Sequence, residues 1–249
     1  MSLILTHISK FGVVHASDSN LTRGIDAAGQ VQKTFRVTYL NAGLTVAGVY
    51  SVAGCSMDRW MTDFITKQAS SAESLAAFAS RLGNALETEM SSTEKQHGSM
   101  VHIAGYVEAD GSQHPEFYFV RNIYGIDAVT GEYFDIRDQF AVSEDFWTRD
   151  CPKGDLMEVL ESGRAQIYVN GYPSGRIAYL AVIDQLKDFF AELWRKPEWM
   201  FRPPQSLTET TLFVKLYMSI LGTLFQVSNY PAPVIGGATQ ICEIPRPMG

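Results

Sequence analysis

The order of apolar segments limits most strongly what this chain can fold into. Ser2–Ile8 is rich in β-branched and aliphatic residues, Ser9-Lys10-Phe11-Gly12 has turn composition, and Val13–Ser17 follows. The chain is therefore predicted to open with a hairpin. Thr34–Tyr39 and Leu44–Tyr50 form a second predicted hairpin around Asn41-Ala42-Gly43. The period then changes. Met57–Lys67 places Trp60, Met61, Phe64 and Ile65 on one helical face, and Ala72–Met90 does the same with Leu75, Phe78, Leu82 and Leu86.

Strand patterns return at Met100–Val107 and Glu116–Arg121, joined by the turn Ala109-Asp110-Gly111-Ser112. Ala128–Arg164 carries Tyr133, Phe134, Phe140, Phe146 and Trp147 among many acids, an aromatic load that a disordered segment lacks, so an ordered excursion is expected. A short strand at Ala165–Val169, a helix at Ile177–Trp194 and a Pro-rich connector at Lys196–Gln205 follow. Ser206-Leu207-Thr208-Glu209 has capping-box spacing and opens a helix ending near Val227, and the last strand is Thr239–Ile244. Two helices after each group of strands imply helices outside a central pair of sheets.

Composition narrows the function classes. With 249 residues and 46% hydrophobic content the chain can bury one large core. A formal charge of -7 with dispersed Lys and Arg argues against a nucleic-acid partner. Cys55, Cys151 and Cys242 lie far apart without CxxC spacing and read as free thiols of a reducing, cytoplasmic compartment. Met1–His7 lacks the basic start of a signal peptide. The apolar stretch Leu212–Val227 is interrupted by Lys215, Ser219, Gly222 and Thr223 and reads as a half-buried helix, not a membrane span. There is no HExxH, GxGxxG or GxxxxGK[ST], so no metal or cofactor is expected. His7 and His15 are expected to face each other across the first hairpin, while His102 looks unrelated to them.

One set of residues has chemical potential. Serine is a weak nucleophile until a base takes its proton. At a chain terminus that base is the residue's own α-amine, with a reference pKa of about 7.7–8.0. Ser2 becomes such a terminus if Met1 is removed. A nearby cation would tune nucleophile and amine, and a carboxylate would hold the cation, because an unpaired buried charge is costly. Asp18 ends the second strand beside the start of the first, and Lys33 directly precedes the third, so both reach the end of the sheet that holds Ser2. The bland alternatives are solvated loop charges for Asp18 and Lys33, a packing glycine at Gly48 and a helix-capping role for Ser174.

Ser2, Ala16-Ser17-Asp18-Ser19, Thr22, Lys33-Thr34-Phe35-Arg36-Val37 and Leu44-Thr45-Val46-Ala47-Gly48, in this order and spacing, resemble a proteasome β-type subunit, a proteasome-like N-terminal nucleophile (Ntn) hydrolase. The resemblance implies a single domain over residues 1–249 with an α+β, four-layer αββα sandwich of two antiparallel sheets between helical layers, and an ordered insertion at about 128–164. It implies cleavage of peptide bonds by Ser2, with Lys33 lowering the nucleophile's pKa, Asp18 holding Lys33 and the Gly48 N–H binding the oxyanion. It further places Ser19 and Thr22 at the substrate peptide and Ser174 as a supporting serine, and it suggests a ring-like homo-oligomer with an ATPase or regulatory partner. The chain departs from the family after its last long helix. The family's Asp-x-x-Ser-Gly-Gly reads here as Asn229 followed later by Gly236-Gly237, without the aspartate or the serine. That departure keeps two other readings open: a catalytically inactive structural subunit, and a binding module built on the 128–164 excursion.

Overall fold

The computed structural model describes residues 2–23, 26–69, 74–109, 111–126, 133–143, 156–229 and 235–247. It is a mixed α+β protein with several antiparallel sheets and, among the described residues, six α-helices. The chain opens with β1 (Leu3–Ser9) and β2 (Gly12–Ser17), then a short ribbon of β3 (Asn20–Arg23) and β4 (Asp26–Gln30) that the sequence patterns did not indicate. Next come β5 (Thr34–Val37), β6 (Ala42–Gly48) and a second ribbon, β7 (Ser51–Val52) with β8 (Cys55–Ser56). Helices α1 (Met57–Gln68), α2 (Leu75–Glu89) and α3 (Ser92–Lys95) lead into β9 (Ser99–Ala109), β10 (Ser112–Ile126) and β11 (Tyr133–Ser143). Then follow α4 (Leu156–Glu161), β12 (Gln166–Gly171), α5 (Pro173–Trp194), α6 (Leu207–Gln226) and β13 (Gln240–Pro245).

One sheet has the order β12-β1-β2-β13 and the other β11-β10-β9-β6-β5. Strands β1 and β2 are buried along nearly their whole length on both faces, which is why they read as continuous apolar runs and not as alternating ones. Three apolar clusters account for this. One joins the five-stranded sheet to α1 and α2 through Leu44, Val46, Trp60, Met61, Phe78 and Leu82. A second joins the four-stranded sheet to α5 and α6 through Leu3, Leu5, Val14, Ile183, Val214 and Leu221. The third draws on both sheets, with Ile4, Ile8 and Val13 beside Met100, Phe117 and Phe119.

Several local features follow from the residues present. The third predicted strand is shorter than its pattern: Thr38–Leu40 forms a 3-10 turn, and Asn41 takes the left-handed conformation at φ 44° that an Asn tolerates. Ser206 caps α6 by accepting from the Glu209 backbone N–H, but the reciprocal arm is redirected. Glu209 instead accepts from the Gln205 N–H and pairs with Arg202. A complete capping box sits at Ser91 and Glu94, which the sequence reading passed over. The described part of the 128–164 excursion supplies the edge strand β11 and helix α4, with Phe140 packed on the first cluster; Phe146 and Trp147 lie outside the described residues.

Candidate functional site

The site is built where β1 begins, β2 ends and β5 begins. Ser2 is 5% exposed, and its carbonyl accepts from the Tyr172 N–H, just past β12. Gly171 pairs with Leu3 in register at a φ of 114°. A Cβ there would lie 2.1 Å from the Ser2 carbonyl oxygen, so only glycine lets β12 approach the N-terminus this closely.

Asp18 is 3% exposed and Lys33 is 1% exposed, which overturns the reading of these two as solvated loop charges. Lys33 Nζ lies 3.2 Å from each carboxylate oxygen of Asp18 and also donates to the Asn20 carbonyl. Asp18 Oδ1 accepts from the Leu3 N–H at 2.8 Å, and Oδ2 accepts from the Asn20 N–H at 3.2 Å. The carboxylate thus bridges the lysine ammonium and the peptide group that joins Ser2 to Leu3. Burial pushes Asp18 above the usual carboxylate range and Lys33 below the usual lysine range, while each partner's charge opposes the other's shift.

A surrounding shell holds this pair, and its members were not singled out from the sequence. Gln240, at the start of β13, accepts from the Lys33 and Thr34 N–H groups at 2.7 and 3.2 Å and donates to the Val31 carbonyl at 2.6 Å. Ser17, Thr34 and Thr45 link their hydroxyls across β2, β5 and β6 at 2.8 and 3.2 Å. Gln240 sits 207 positions from Lys33, and no local pattern marks such a contact. A cavity of about 140 Å³ reaches Asp18 and is lined by Met218, Gly222, Thr223, Gly236 and Gly237 among others.

The remaining predicted residues occupy varied positions. Ser19 is 2% exposed, its Oγ accepts from the Ala238 N–H at 2.8 Å and its backbone N–H donates to the Gly236 carbonyl. In the described chain its side chain is therefore engaged with the Gly236-Gly237 segment. Thr22 pairs with Ala27 across the β3–β4 ribbon. Gly48 ends β6 opposite Ser99 at a φ of 111°, and a Cβ would come within 2.2 Å of the Gly98 carbonyl oxygen, so close packing alone demands glycine here. Ser174 is the second residue of α5, whose N-cap is Tyr172, so it is not the capping residue. Asn229, the residue nearest in sequence to the missing aspartate, is exposed.

The expected pairing of His7 with His15 is corrected. The first turn sets Ser9 opposite Gly12, so Thr6 pairs with His15 and His7 with Val14. The expectation was off by one residue, and in a strand one residue moves a side chain to the other face. His15 and His102 instead share a hydroxyl, that of Thr6, in the core between the strands.

No helix among the described residues is long and apolar enough to cross a membrane. No protein-family model matches the chain, and no curated protein matches it.

Proposed function

We propose that the protein is an N-terminal nucleophile hydrolase that cleaves peptide or other amide bonds with Ser2 after removal of Met1. The observation that carries this reading is the buried Asp18–Lys33 pair, bonded through Asp18 Oδ1 to the amide that follows Ser2. A buried ion pair is weak evidence of stability, since desolvation offsets much of its attraction. Such a pair set against a serine at the chain terminus has a chemical use instead: Lys33 stabilises the Ser2 alkoxide as it forms. The α-amine takes the hydroxyl proton and the oxygen attacks the carbonyl; the C–N bond breaks as the leaving amine receives that proton, and water then hydrolyses the ester to free Ser2. The Gly48 N–H is assigned to the oxyanion.

The four-layer αββα arrangement belongs to the same proposal. One apolar cluster shared by the two sheets, and separate clusters beneath α1–α2 and α5–α6, support it. Exposed Leu212, Leu216 and Leu224 along α6 support self-assembly.

Fluorogenic peptide turnover by chain lacking Met1, compared with its Ser2→Ala variant, tests the reading. Turnover is expected to fall to background in the variant, and unchanged turnover would reject the mechanism. A second reading is a non-catalytic subunit of the same fold that keeps Met1. The absence of the family's aspartate and serine before Gly236-Gly237 favours it. An intact mass that retains Met1, with no turnover, is its expected signature.

A further inference from the structure

Four fully or almost fully buried polar side chains from four strands form one chain of hydrogen bonds: Thr6 of β1, His15 of β2, His102 of β9 and Asn170 of β12. Thr6 Oγ1 lies 3.0 Å from His15 Nδ1 and 3.1 Å from His102 Nδ1. His15 Nε2 lies 3.3 Å from the Ala104 carbonyl oxygen, and His102 Nε2 lies 2.9 Å from Asn170 Nδ2. The chemistry of the end groups assigns every proton. A carbonyl only accepts, so His15 carries its proton on Nε2. Its Nδ1 then accepts, and the Thr6 hydroxyl must donate to it. That uses the one hydroxyl proton, so Thr6 accepts from Nδ1–H of His102. The Nε2 of His102 is left as an acceptor and takes a proton from the Asn170 amide. The chain runs in one direction, from Asn170 to Ala104, with both rings neutral and no link left over.

We infer that this chain is an acid-sensitive latch that ties the four-stranded sheet to the five-stranded one and seats the β12 end beside Ser2. One added proton breaks it wherever it lands. On His15 it turns Nδ1 into a donor and leaves the Thr6 hydroxyl proton without an acceptor. On His102 it turns Nε2 into a donor, which the Asn170 amide can meet only by turning over to present Oδ1. Among the described residues no carboxylate faces the rings to hold the added charge. The rings are faced by Thr6 of β1, Gly43 and Thr45 of β6, Ala104 of β9, Phe117 and Phe119 of β10, Tyr168 and Asn170 of β12, and Cys242 of β13. The titratable members of that set are Tyr168 and Cys242, with no carboxylate among them, and burial pushes the Cys242 thiol up to about 11. Burial holds His15 near 4 and His102 well below its usual 6.5. Asn170 pairs with Ile4, and Gly171 with Leu3, so the latch ends one residue from the strand contact that carries the N-terminus. The inference does not depend on the hydrolase reading.

Nitrogen NMR of the imidazoles in the intact chain tests it. His15 is expected as the Nε2–H tautomer and His102 as the less common Nδ1–H tautomer, both neutral down to pH 5. An Nε2–H tautomer at His102, or a ring that titrates above pH 5.5 in the folded protein, would overturn it. Thr6→Ser is expected to keep both tautomers and the native stability, whereas Thr6→Val leaves Nδ1 of His15 and Nδ1–H of His102 without their partner and is expected to lower the unfolding midpoint. Between pH 6 and 5, the unfolding constant is expected to rise about tenfold per latch histidine for each unit of acidification. His15→Gln/His102→Gln is expected to remove that part of the rise, leaving the part due to His7, which burial also pushes down to about 4. An unaltered slope in the double variant would contradict the latch; if the double variant does not fold, the tautomers decide.

Discussion

The molecule buries polar groups in two places and treats them in opposite ways. At the Ser2 end of the sheets, Asp18 and Lys33 form an ion pair with two backbone N–H groups on the carboxylate and a carbonyl on the ammonium. Between the sheets, His15 and His102 are kept neutral and linked through Thr6. Both clusters satisfy their donors and acceptors, so satisfaction alone does not distinguish them. Charge does. The buried ion pair lies beside Ser2, where the proposed nucleophile would use it. The neutral cluster lies deeper and holds strands together at little electrostatic cost.

Removing one partner of the ion pair should sharpen this contrast most. Lys33→Met leaves the Asp18 carboxylate buried with only backbone donors and is expected to cost about 3–5 kcal/mol in denaturant unfolding. Asp18→Leu/Lys33→Met is expected to cost less than Lys33→Met alone, because no charge is stranded. A double variant worse than the single would mean that the pair is needed for folding itself.

Acid should act on the other cluster. The unfolded chain binds a proton on each ring near pH 6.5, whereas folded His15 resists until about 4. Unfolding therefore takes up protons in that window, and stability present above pH 6.5 is lost as pH falls toward 4. The loss is expected to be about 1.5 kcal/mol for His15 between pH 6.5 and 5, read from unfolding midpoints. The same loss is expected in Asp18→Leu/Lys33→Met protein if it arises from the rings. Its disappearance there would move the acid sensitivity to the ion pair.

The fold was legible where local pattern decides it. The apolar runs of β1 and β2, the helical stripes of α1 and α2 and the Ser206 cap each rest on neighbours within one turn or strand. The β3–β4 ribbon was not legible, because Asn20–Arg23 and Asp26–Gln30 are short and weakly apolar. In the site, Asp18 and Lys33 could be placed together by strand ends alone. Gln240 and the hydroxyls of Ser17, Thr34 and Thr45 could not, since their contacts depend on which strands become neighbours. The histidine error has the same origin at smaller scale. Register depends on the turn, and a one-residue change in register moved His15 from His7 to His102.

Ser2 is the proposed terminal nucleophile beside the Asp18–Lys33 pair. Intact and peptide mass spectrometry after treatment with a peptide electrophile that acylates or alkylates hydroxyl groups tests it most directly. The expected product is a chain that has lost Met1 and carries one adduct on Ser2, with the adduct absent in Lys33→Met protein that still folds. A chain that keeps Met1 and leaves Ser2 unmodified would contradict it.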